Sequence, residues 1–221
     1  MRARKKKWAA NEFSINTLLV EEPERYRGSW NHYFGNDNPL HVEIGCGKGR
    51  FITESAAANP DINYIAVERE SQIIISGLRR AREAGVTNLR FILSDAEKLP
   101  LIFSECEIKR LFIHFCDPWP NRKKWAKRRL THGNFLKIYE PVLDGGIFFK
   151  TDNRELFEFS LEQFALHNWA AENVTWDLHG GNHTDRNYLM TEYEERFYNE
   201  GVPIMKCEAY PPGFTAKRTG C

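Results

Sequence analysis

Short runs of β-branched and aromatic residues alternate with longer amphipathic segments from about residue 40 onward. The apolar runs predict five strands, over residues 41–45, 63–68, 88–94, 108–115 and 146–151. The segments after them predict helices, over residues 49–59, 71–85, 131–143 with a break near Pro141, and from 153 or 154 to about 167. Strands that alternate with helices predict a mostly parallel sheet with helices on both faces.

Two further strands are predicted around residues 170–177 and 203–210, joined by a polar, glycine-rich and partly helical segment. A short return of this kind favours an antiparallel pair at the end of the sheet. We therefore predict an α/β fold with seven strands. The predicted division is a basic N-terminal arm over 1–30, one domain over 31–210 and a C-terminal tail over 211–221.

Each predicted parallel strand ends at a residue of marked chemistry. They are Gly45, Glu68, Asp95, Asp117 and Asp152. Ligands of open α/β sheets bind outside the carboxyl ends of the strands. We therefore expect the four acids and the glycine turn to converge on one site. Taken singly, each acid has a second interpretation as a turn residue or a helix cap.

The first strand leads into a turn with three glycines, Gly45-Cys46-Gly47-Lys48-Gly49, which lets backbone approach a ligand closely. A dinucleotide fingerprint has Gly or Ala at the sixth position, whereas this chain has Arg50, so the turn favours a ligand without a pyrophosphate. Glu68 is placed to accept hydrogen bonds from ribose hydroxyls, and Asp95 from an adenine amine. Glu43 lies inside an apolar strand, where a cationic ammonium or sulfonium ligand would offset the cost of its burial.

A rigid turn with an aromatic side chain, Asp117-Pro118-Trp119-Pro120, follows the fourth strand. It resembles the acid/amide-Pro-Pro-aromatic turn with which amino-methylating enzymes hold a flipped base. The alternative is a proline-stiffened loop with a packed Trp. Cys116 does not follow a proline, as cytosine-C5 nucleophiles usually do, and we interpret it as a small buried side chain.

Charge is balanced overall and concentrated locally. Lys and Arg number 31 against 30 acids, for a net charge of +1. The segments 2–7 and 122–129 contain eleven of these cations and no acid. They indicate a polyanionic partner, with solvated charge runs as the alternative.

Cysteine usage and hydropathy predict a cytoplasmic protein. The five cysteines form no CxxC pair, so we interpret them as reduced thiols without a structural zinc. The chain has no apolar run long enough for a membrane span, and its basic start lacks the apolar region of a secretory signal. His179, His183 and Asp185 resemble a metal cluster but lie in a Gly/Asn-rich loop without fixed spacing, so we predict no metal site.

Four segments together resemble one enzyme family. They are VEIGCGKGRF (42–51), DPWPNRKKWAKRRL (117–130), FFKTDNRELFE (148–158) and TEYEERF (191–197). In this order, and over about residues 2–210, the chain resembles the bacterial tRNA (guanine-N7-)-methyltransferases. The resemblance implies the Rossmann-like class I methyltransferase fold, S-adenosylmethionine as cofactor, and tRNA as partner, methylated at guanine 46 of its variable loop.

The resemblance also implies roles for individual residues. Asp117 is the implied catalytic residue. The implied cofactor site consists of Glu43, Gly45, Gly47, Glu68, Asp95 and Asp117. The implied substrate contacts are Asn121, Asp152, Thr191, Tyr193 and Glu194, and the implied RNA contacts are Lys123, Lys124, Lys127 and Arg128.

Three positions have further interpretations. Relatives usually carry Lys directly after DPWP, where this chain has Asn121, so the cation is displaced by a residue or replaced by the amide. Thr191-x-x-Glu194 is also a capping box that starts a helix. Asp152 or Asn153 is also a candidate N-cap.

Two other functions compete with tRNA methylation. One is a methyltransferase of the same fold that acts on another nucleic acid, a protein or a small molecule. The other is a catalytically silent RNA-binding subunit, which the intact acids and glycine turn disfavour. The sequence is compatible with a monomer or a homodimer.

Overall fold

A single sheet organises the molecule. The computed structural model describes residues 17–119, 123–180 and 189–214, with only the backbone of residues 123 and 124. Within these ranges seven strands form one sheet in the order β3-β2-β1-β4-β5-β7-β6. The strands are Leu40–Ile44 (β1), Asn63–Glu68 (β2), Leu89–Leu93 (β3), Ile108–His114 (β4), Leu143–Thr151 (β5), Ala170–Thr175 (β6) and Met205–Tyr210 (β7).

The five strands β1 to β5 are parallel, and β7 is antiparallel to both β5 and β6. The predicted mostly parallel seven-stranded sheet with an antiparallel ending is therefore confirmed, and within the described ranges β7 alone runs against the other strands. The strand order reverses between β1 and β4, which is where open α/β sheets bind ligands.

Helices cover both faces of the sheet. The α-helices in the described ranges are Trp30–Phe34 (α1), Arg50–Ala58 (α2), Ser71–Glu83 (α3), Leu99–Ile102 (α4), Lys123–Ala126 (α5), Gly133–Tyr139 (α6), Arg154–Leu166 (α7) and Glu192–Asn199 (α8). Pro23–Tyr26, Ala96–Lys98 and Glu140–Val142 form 3-10 turns. None of these helices is long and apolar enough to cross a lipid bilayer.

Two hydrophobic cores explain why the central strands have near-continuous apolar sequences. Every residue of β1 and β2 is buried, because alternate side chains enter opposite cores. Val42 and Ile65 pack in one core, with α1, α4, α6 and α7, while Tyr64 and Ala66 pack in the other, with α2 and α3.

Part of the predicted N-terminal arm packs on the domain. The Val20 amide donates to the Phe91 carbonyl at 2.9 Å, and the buried Trp30 indole donates to the Ile102 carbonyl at 3.0 Å. The Glu107 carboxylate accepts from the amides of Gly28, Trp30 and Ser104. The residues of this junction line a cavity of about 510 Å³ at the amino-terminal edge of the sheet. The acids predicted to form the ligand site lie at the opposite, carboxyl edge. The boundaries of arm, domain and tail stay predictions.

A glycine pair brings α3 against the glycine turn. Gly49 has φ +71°, and a Cβ atom built on it would lie 2.9 Å from the Cα atom of Gly77, in the middle of α3. Phe91 of β3 packs against both glycines. Side chains at these two positions would therefore push α3 away from the turn.

We expect Gly49→Ala to lower the free energy of unfolding by about 2–4 kcal/mol, because it combines a left-handed backbone with overpacking against Gly77. Gly85→Ala is the matched control, since Gly85 has φ +67° and no described atom within 4 Å of a built Cβ. We expect it to cost only the backbone term, about 1–2 kcal/mol. Urea-induced unfolding measures both, and equal losses would contradict the close contact.

Candidate active site

The glycine turn and Glu68 are joined by a direct hydrogen bond. Gly45 and Gly47 have φ +70° and +57°, and the Gly47 amide donates to the Glu68 carboxylate at 3.1 Å. The same carboxylate accepts from the amides of Arg69 and Glu70, both at 2.9 Å. A carboxylate has about four lone-pair positions, so Glu68 keeps capacity for a hydroxyl donor.

Open space adjoins this turn. A Cβ atom built on Gly45 or on Gly47 would meet no described atom within 4 Å. The backbone at these two glycines is therefore open to close approach by a ligand, at the point where the strand order reverses.

Glu43 is a buried carboxyl group beside the turn. It is 3% exposed, and its Oε2 atom has no hydrogen-bond partner among the described residues. Its Oε1 atom lies 3.7 Å from Nδ1 of His114, which is also buried. Burial raises the pKa of Glu43 to about 8, with Lys150 acting against the rise and Glu68 adding to it. The site therefore favours a cationic group close to Glu43.

Asp95 and Asp117 are exposed at the ends of β3 and β4. Asp95 caps the turn Ala96–Lys98, because its Oδ1 atom accepts from the Glu97 amide at 3.1 Å. Burial raises the pKa of Tyr139, and Cys116, the neighbour of Asp117, and Asp95 add to this rise. Tyr139 is therefore close to both strand ends.

A buried arginine stabilises the turn after β4. The Arg129 guanidinium, 4% exposed, donates to the carbonyls of Pro118 and Trp119 at 2.8 and 2.9 Å. Trp119 has φ +43°, a left-handed conformation in which a bulky residue needs such support. Burial raises the pKa of the neighbouring Cys116 thiol to about 12, with Asp117 adding to the rise, which favours its interpretation as a structural thiol.

The residues of the basic run therefore differ in their burial. Arg129 is internal, whereas Lys127 and Arg128 are exposed, and the Arg128 guanidinium lies 4.6 Å from the centre of the Trp119 ring. Asn121 and the side chains of Lys123 and Lys124 lie outside the described residues. So do His183 and Asp185, and the described residues contain no group of three or more His, Cys, Asp or Glu side chains that could hold a metal.

Asp152 follows β5 and is half-buried. Burial raises its pKa, and a backbone hydrogen bond and Arg196 act against the rise. The N-cap of α7 is Asn153, whose side chain accepts from the Leu156 amide at 2.8 Å. Asp152 therefore does not cap α7, which was the alternative interpretation of this residue from the sequence.

Thr191 and Glu194 form the capping box of α8, as the alternative interpretation predicted. Glu194 is fully buried, and its carboxylate accepts from the Lys150 ammonium at 3.2 Å. Its other oxygen lies 3.1 Å from Nε2 of His179. This group, which we call the Glu194 lock, consists of Lys150, His179 and Glu194.

Partly exposed ion pairs connect α8 to α2, α3 and the glycine turn. Glu192 pairs with Arg80 of α3 and with Lys48 of the glycine turn, and Glu195 pairs with Arg50 of α2. Helix α8 thus bridges the end of β5 and the glycine turn. It presents Tyr193, which is 58% exposed, beside Phe115.

The functional candidates that the sequence did not single out are Lys150, His114, His179 as a partner of Glu194, and Arg129 as an internal residue. Lys150 and His114 do carry a signal, because each is a polar residue beside buried apolar residues at the carboxyl end of its strand. Burial lowers the pKa of Lys150, and Glu194 acts against this.

We expect Lys150→Met to lower the free energy of unfolding by about 3–5 kcal/mol, because it leaves the Glu194 carboxylate buried without its ammonium partner. The double variant Lys150→Met/Glu194→Gln should lose less than Lys150→Met alone. Lys109→Met is the control, since Lys109 forms an exposed pair with Asp144 at 2.9 Å and should cost at most about 1 kcal/mol. Urea-induced unfolding of the three variants measures these differences. A loss in the double variant as large as or larger than in Lys150→Met alone would contradict a coupled pair.

Comparison with known proteins identifies the family. The family model Methyltransf_4, described as "Putative methyltransferase", matches residues 37–207. The tRNA (guanine-N(7)-)-methyltransferase of Clostridioides difficile is 45% identical over 213 residues, which cover 95% of this chain and 98% of the relative. The protein of the same name from Brevibacillus brevis is 48% identical, covering 86% of this chain and 89% of the relative.

Solved structures show the same fold at low identity. The 16S rRNA (adenine(1408)-N(1))-methyltransferase of Catenulisporales acidiphilia has a TM-score of 0.61 and 16% identity, covering 89% of this chain and 94% of that one. The 16S rRNA methyltransferase KamB has a TM-score of 0.59 and 13% identity, covering 84% and 94%. The predicted class I methyltransferase fold is confirmed, and the chain belongs to the tRNA (guanine-N(7)-)-methyltransferase family.

Proposed function

We propose that this protein transfers the methyl group of S-adenosylmethionine to N7 of guanine 46 in the variable loop of tRNA. The observation that carries the proposal is the buried, unpartnered Oε2 atom of Glu43 beside the open glycine turn. The names of the relatives support the reaction and the tRNA substrate.

The residues present fit a cationic nucleoside cofactor. Glu43 suits an ammonium or sulfonium group, because a nearby cation stabilises a carboxylate that burial would otherwise keep protonated. The Glu68 carboxylate, fixed by three amides, suits ribose hydroxyls. Asp95, exposed at the end of β3, suits an exocyclic amine. The Catenulisporales enzyme, of the same fold, was solved with its cosubstrate SAM.

The reaction needs no general base from the protein. The cofactor supplies an electrophilic methyl group, and guanine N7 offers a lone pair with no proton to lose. Positive charge develops on the purine ring during transfer, so a carboxylate such as Asp117 or Asp152 would stabilise it and orient the ring. Asp117 would thus act by electrostatics and positioning.

Affinity for tRNA would come mainly from phosphate contacts. The exposed Lys127 and Arg128 are the described candidates, and Lys123 and Lys124 belong to the same run. Asn121, Thr191, Tyr193 and Glu194 stay predicted substrate contacts. Because the Glu194 carboxylate is buried in the lock, it would reach guanine only if α8 shifted; otherwise it would act by positioning α8.

The proposed function predicts that Asp117→Asn lowers turnover much more than it lowers cofactor affinity. Turnover on unmodified tRNA should fall about 100-fold, because a neutral amide removes the charge that stabilises the developing cation. The dissociation constant of the cofactor should change far less. Asp144→Asn, on the opposite edge of the sheet, should leave both unchanged.

Methyl transfer from labelled cofactor, with mapping of the 7-methylguanosine, measures turnover and position together, and calorimetry measures cofactor affinity. Label at another position or on another RNA would favour the related methyltransferase function. Cofactor binding without transfer to any RNA would favour a methyltransferase with another substrate class. Absence of cofactor binding would favour a silent subunit. Equal losses in turnover and affinity would make Asp117 a plain cofactor ligand.

A second prediction concerns pH. Since Glu43 has a raised pKa of about 8, it carries a proton in the cofactor-free protein at neutral pH and should release it to the solvent when a cationic ligand binds. Cofactor affinity should therefore rise by up to about tenfold per pH unit below pH 8 and level off above it. Two neighbours of Glu43, His114 and Cys46, do not titrate in this range, and the Glu43→Gln variant separates Glu43 from Lys150, whose pKa burial lowers. Burial holds the pKa of His114 well below its usual range and that of Cys46 well above it.

Calorimetric titration between about pH 6 and 9, in buffers with different ionisation enthalpies, measures both the slope and the released proton. The Glu43→Gln variant should show neither. A slope that persists in that variant, or a wild-type affinity independent of pH, would contradict the assignment to Glu43.

A further inference from the structure

Three aromatic rings, of which Tyr193 is exposed and Phe115 and Phe197 are half-buried, lie nearly parallel to one another at the carboxyl edge of the sheet. Phe115 lies 6.1 Å from Tyr193 and 6.0 Å from Phe197, measured between ring centres, with interplanar angles of 23° and 27°. Tyr193 and Phe197 are 6.5 Å apart at 25°. We call these three residues the aromatic floor. Single exposed aromatics are ordinary, whereas three nearly parallel rings in mutual contact form a surface.

The backbone holds Phe115 in an unfavourable conformation. Its φ is +49°, which is rare for a bulky side chain and costs on the order of a kcal/mol or more, and its amide donates to the Lys150 carbonyl at 2.9 Å. Tyr193 and Phe197 are fixed by the Glu194 lock, which anchors the same helix. The floor is therefore built before any ligand arrives.

The floor adjoins the candidate reacting groups. Phe115 precedes Asp117 by two residues. Arg196, on the same helix as Tyr193, lies close enough to Asp152 to affect its pKa. The Arg196 guanidinium also lies 5.7 Å from the centre of the Phe197 ring. Asp117 is thus close to the floor along the chain, and Asp152 is linked to it through Arg196, which contacts Phe197.

We propose that the aromatic floor is the surface on which the target purine ring stacks, with Phe115 and Phe197 as binding residues beside Tyr193. The inference rests on the proposed function. An unstacked base that leaves its RNA stack is bound by stacking on aromatic side chains, and a purine has the largest flat face to offer.

Charge gives the floor a second role. Methylation at N7 turns the neutral purine into a cation, and aromatic faces attract cations. The floor therefore binds the transition state more tightly than the substrate, which accelerates transfer. Its loss should lower turnover as well as RNA affinity.

The experiment uses the full chain and a tRNA with 2-aminopurine in place of the target guanine. Stacking on an aromatic ring quenches the fluorescence of this base. We expect wild-type protein with S-adenosylhomocysteine to quench it, and Tyr193→Ala and Phe115→Leu to lose the quenching. Tyr193→Phe should restore it, because the ring is kept. Tyr198→Ala is the matched control, since Tyr198 is equally exposed on the same helix and contacts His179.

Kinetics on natural tRNA provide the second readout. Tyr193→Ala and Phe115→Leu should lower kcat/KM by about 10- to 100-fold, with part of the loss in kcat, while Tyr198→Ala stays close to wild type. Cofactor affinity should be unchanged in all variants, which shows that they are folded.

The outcomes separate this inference from the proposed function. Wild-type methylation of guanine together with equal behaviour of the Tyr193→Ala and Tyr198→Ala variants would overturn the aromatic floor alone. Quenching that survives in both Tyr193→Ala and Phe115→Leu would also overturn it. Absence of methyl transfer by the wild type would instead reject the proposed function.

Discussion

The ion pair between Lys150 and Glu194 lies in the interior, where water cannot screen or solvate it. Charges in such a place are costly unless their geometry is good and their remaining atoms are bonded, and here His179 and the capping box supply the further contacts. The pair joins the middle of the sheet to α8, and α8 in turn reaches the glycine turn. This interaction therefore positions α8 together with the ion pairs that Glu192 and Glu195 form.

The carboxyl groups at the carboxyl edge of the sheet lie in different environments. Glu43 is buried with an unpartnered oxygen, Glu68 accepts from three backbone amides and keeps capacity for a further donor, and Asp95 and Asp117 face solvent. One chemical group therefore offers three kinds of site: a cation site, a rigid acceptor for hydroxyls and solvated charges. This range explains how similar side chains can serve different parts of one ligand.

The sheet and the glycine turn were predictable because local pattern determines them. β1 and β2 are buried on both faces, so most of their residues are apolar, and three glycines with positive φ follow β1. The capping box at Thr191 was predictable for the same reason. Lys150 was different, because its partner lies 44 residues away and the pairing depends on how α8 docks. Phe115 carries no local signal for its positive φ, and Arg129 cannot be distinguished from its basic neighbours until its burial is known.

The burial of Arg129 has a consequence for catalytic turnover. Dissolved salt weakens contacts between exposed cations and phosphates, but it has little effect on a guanidinium enclosed by protein and bonded to two carbonyl oxygens. In the proposed function, ionic strength would thus release RNA from Arg128 while the Asp117-Pro118-Trp119 turn keeps its shape. Product release would then leave the turn intact, and the next RNA would meet a turn that is already formed.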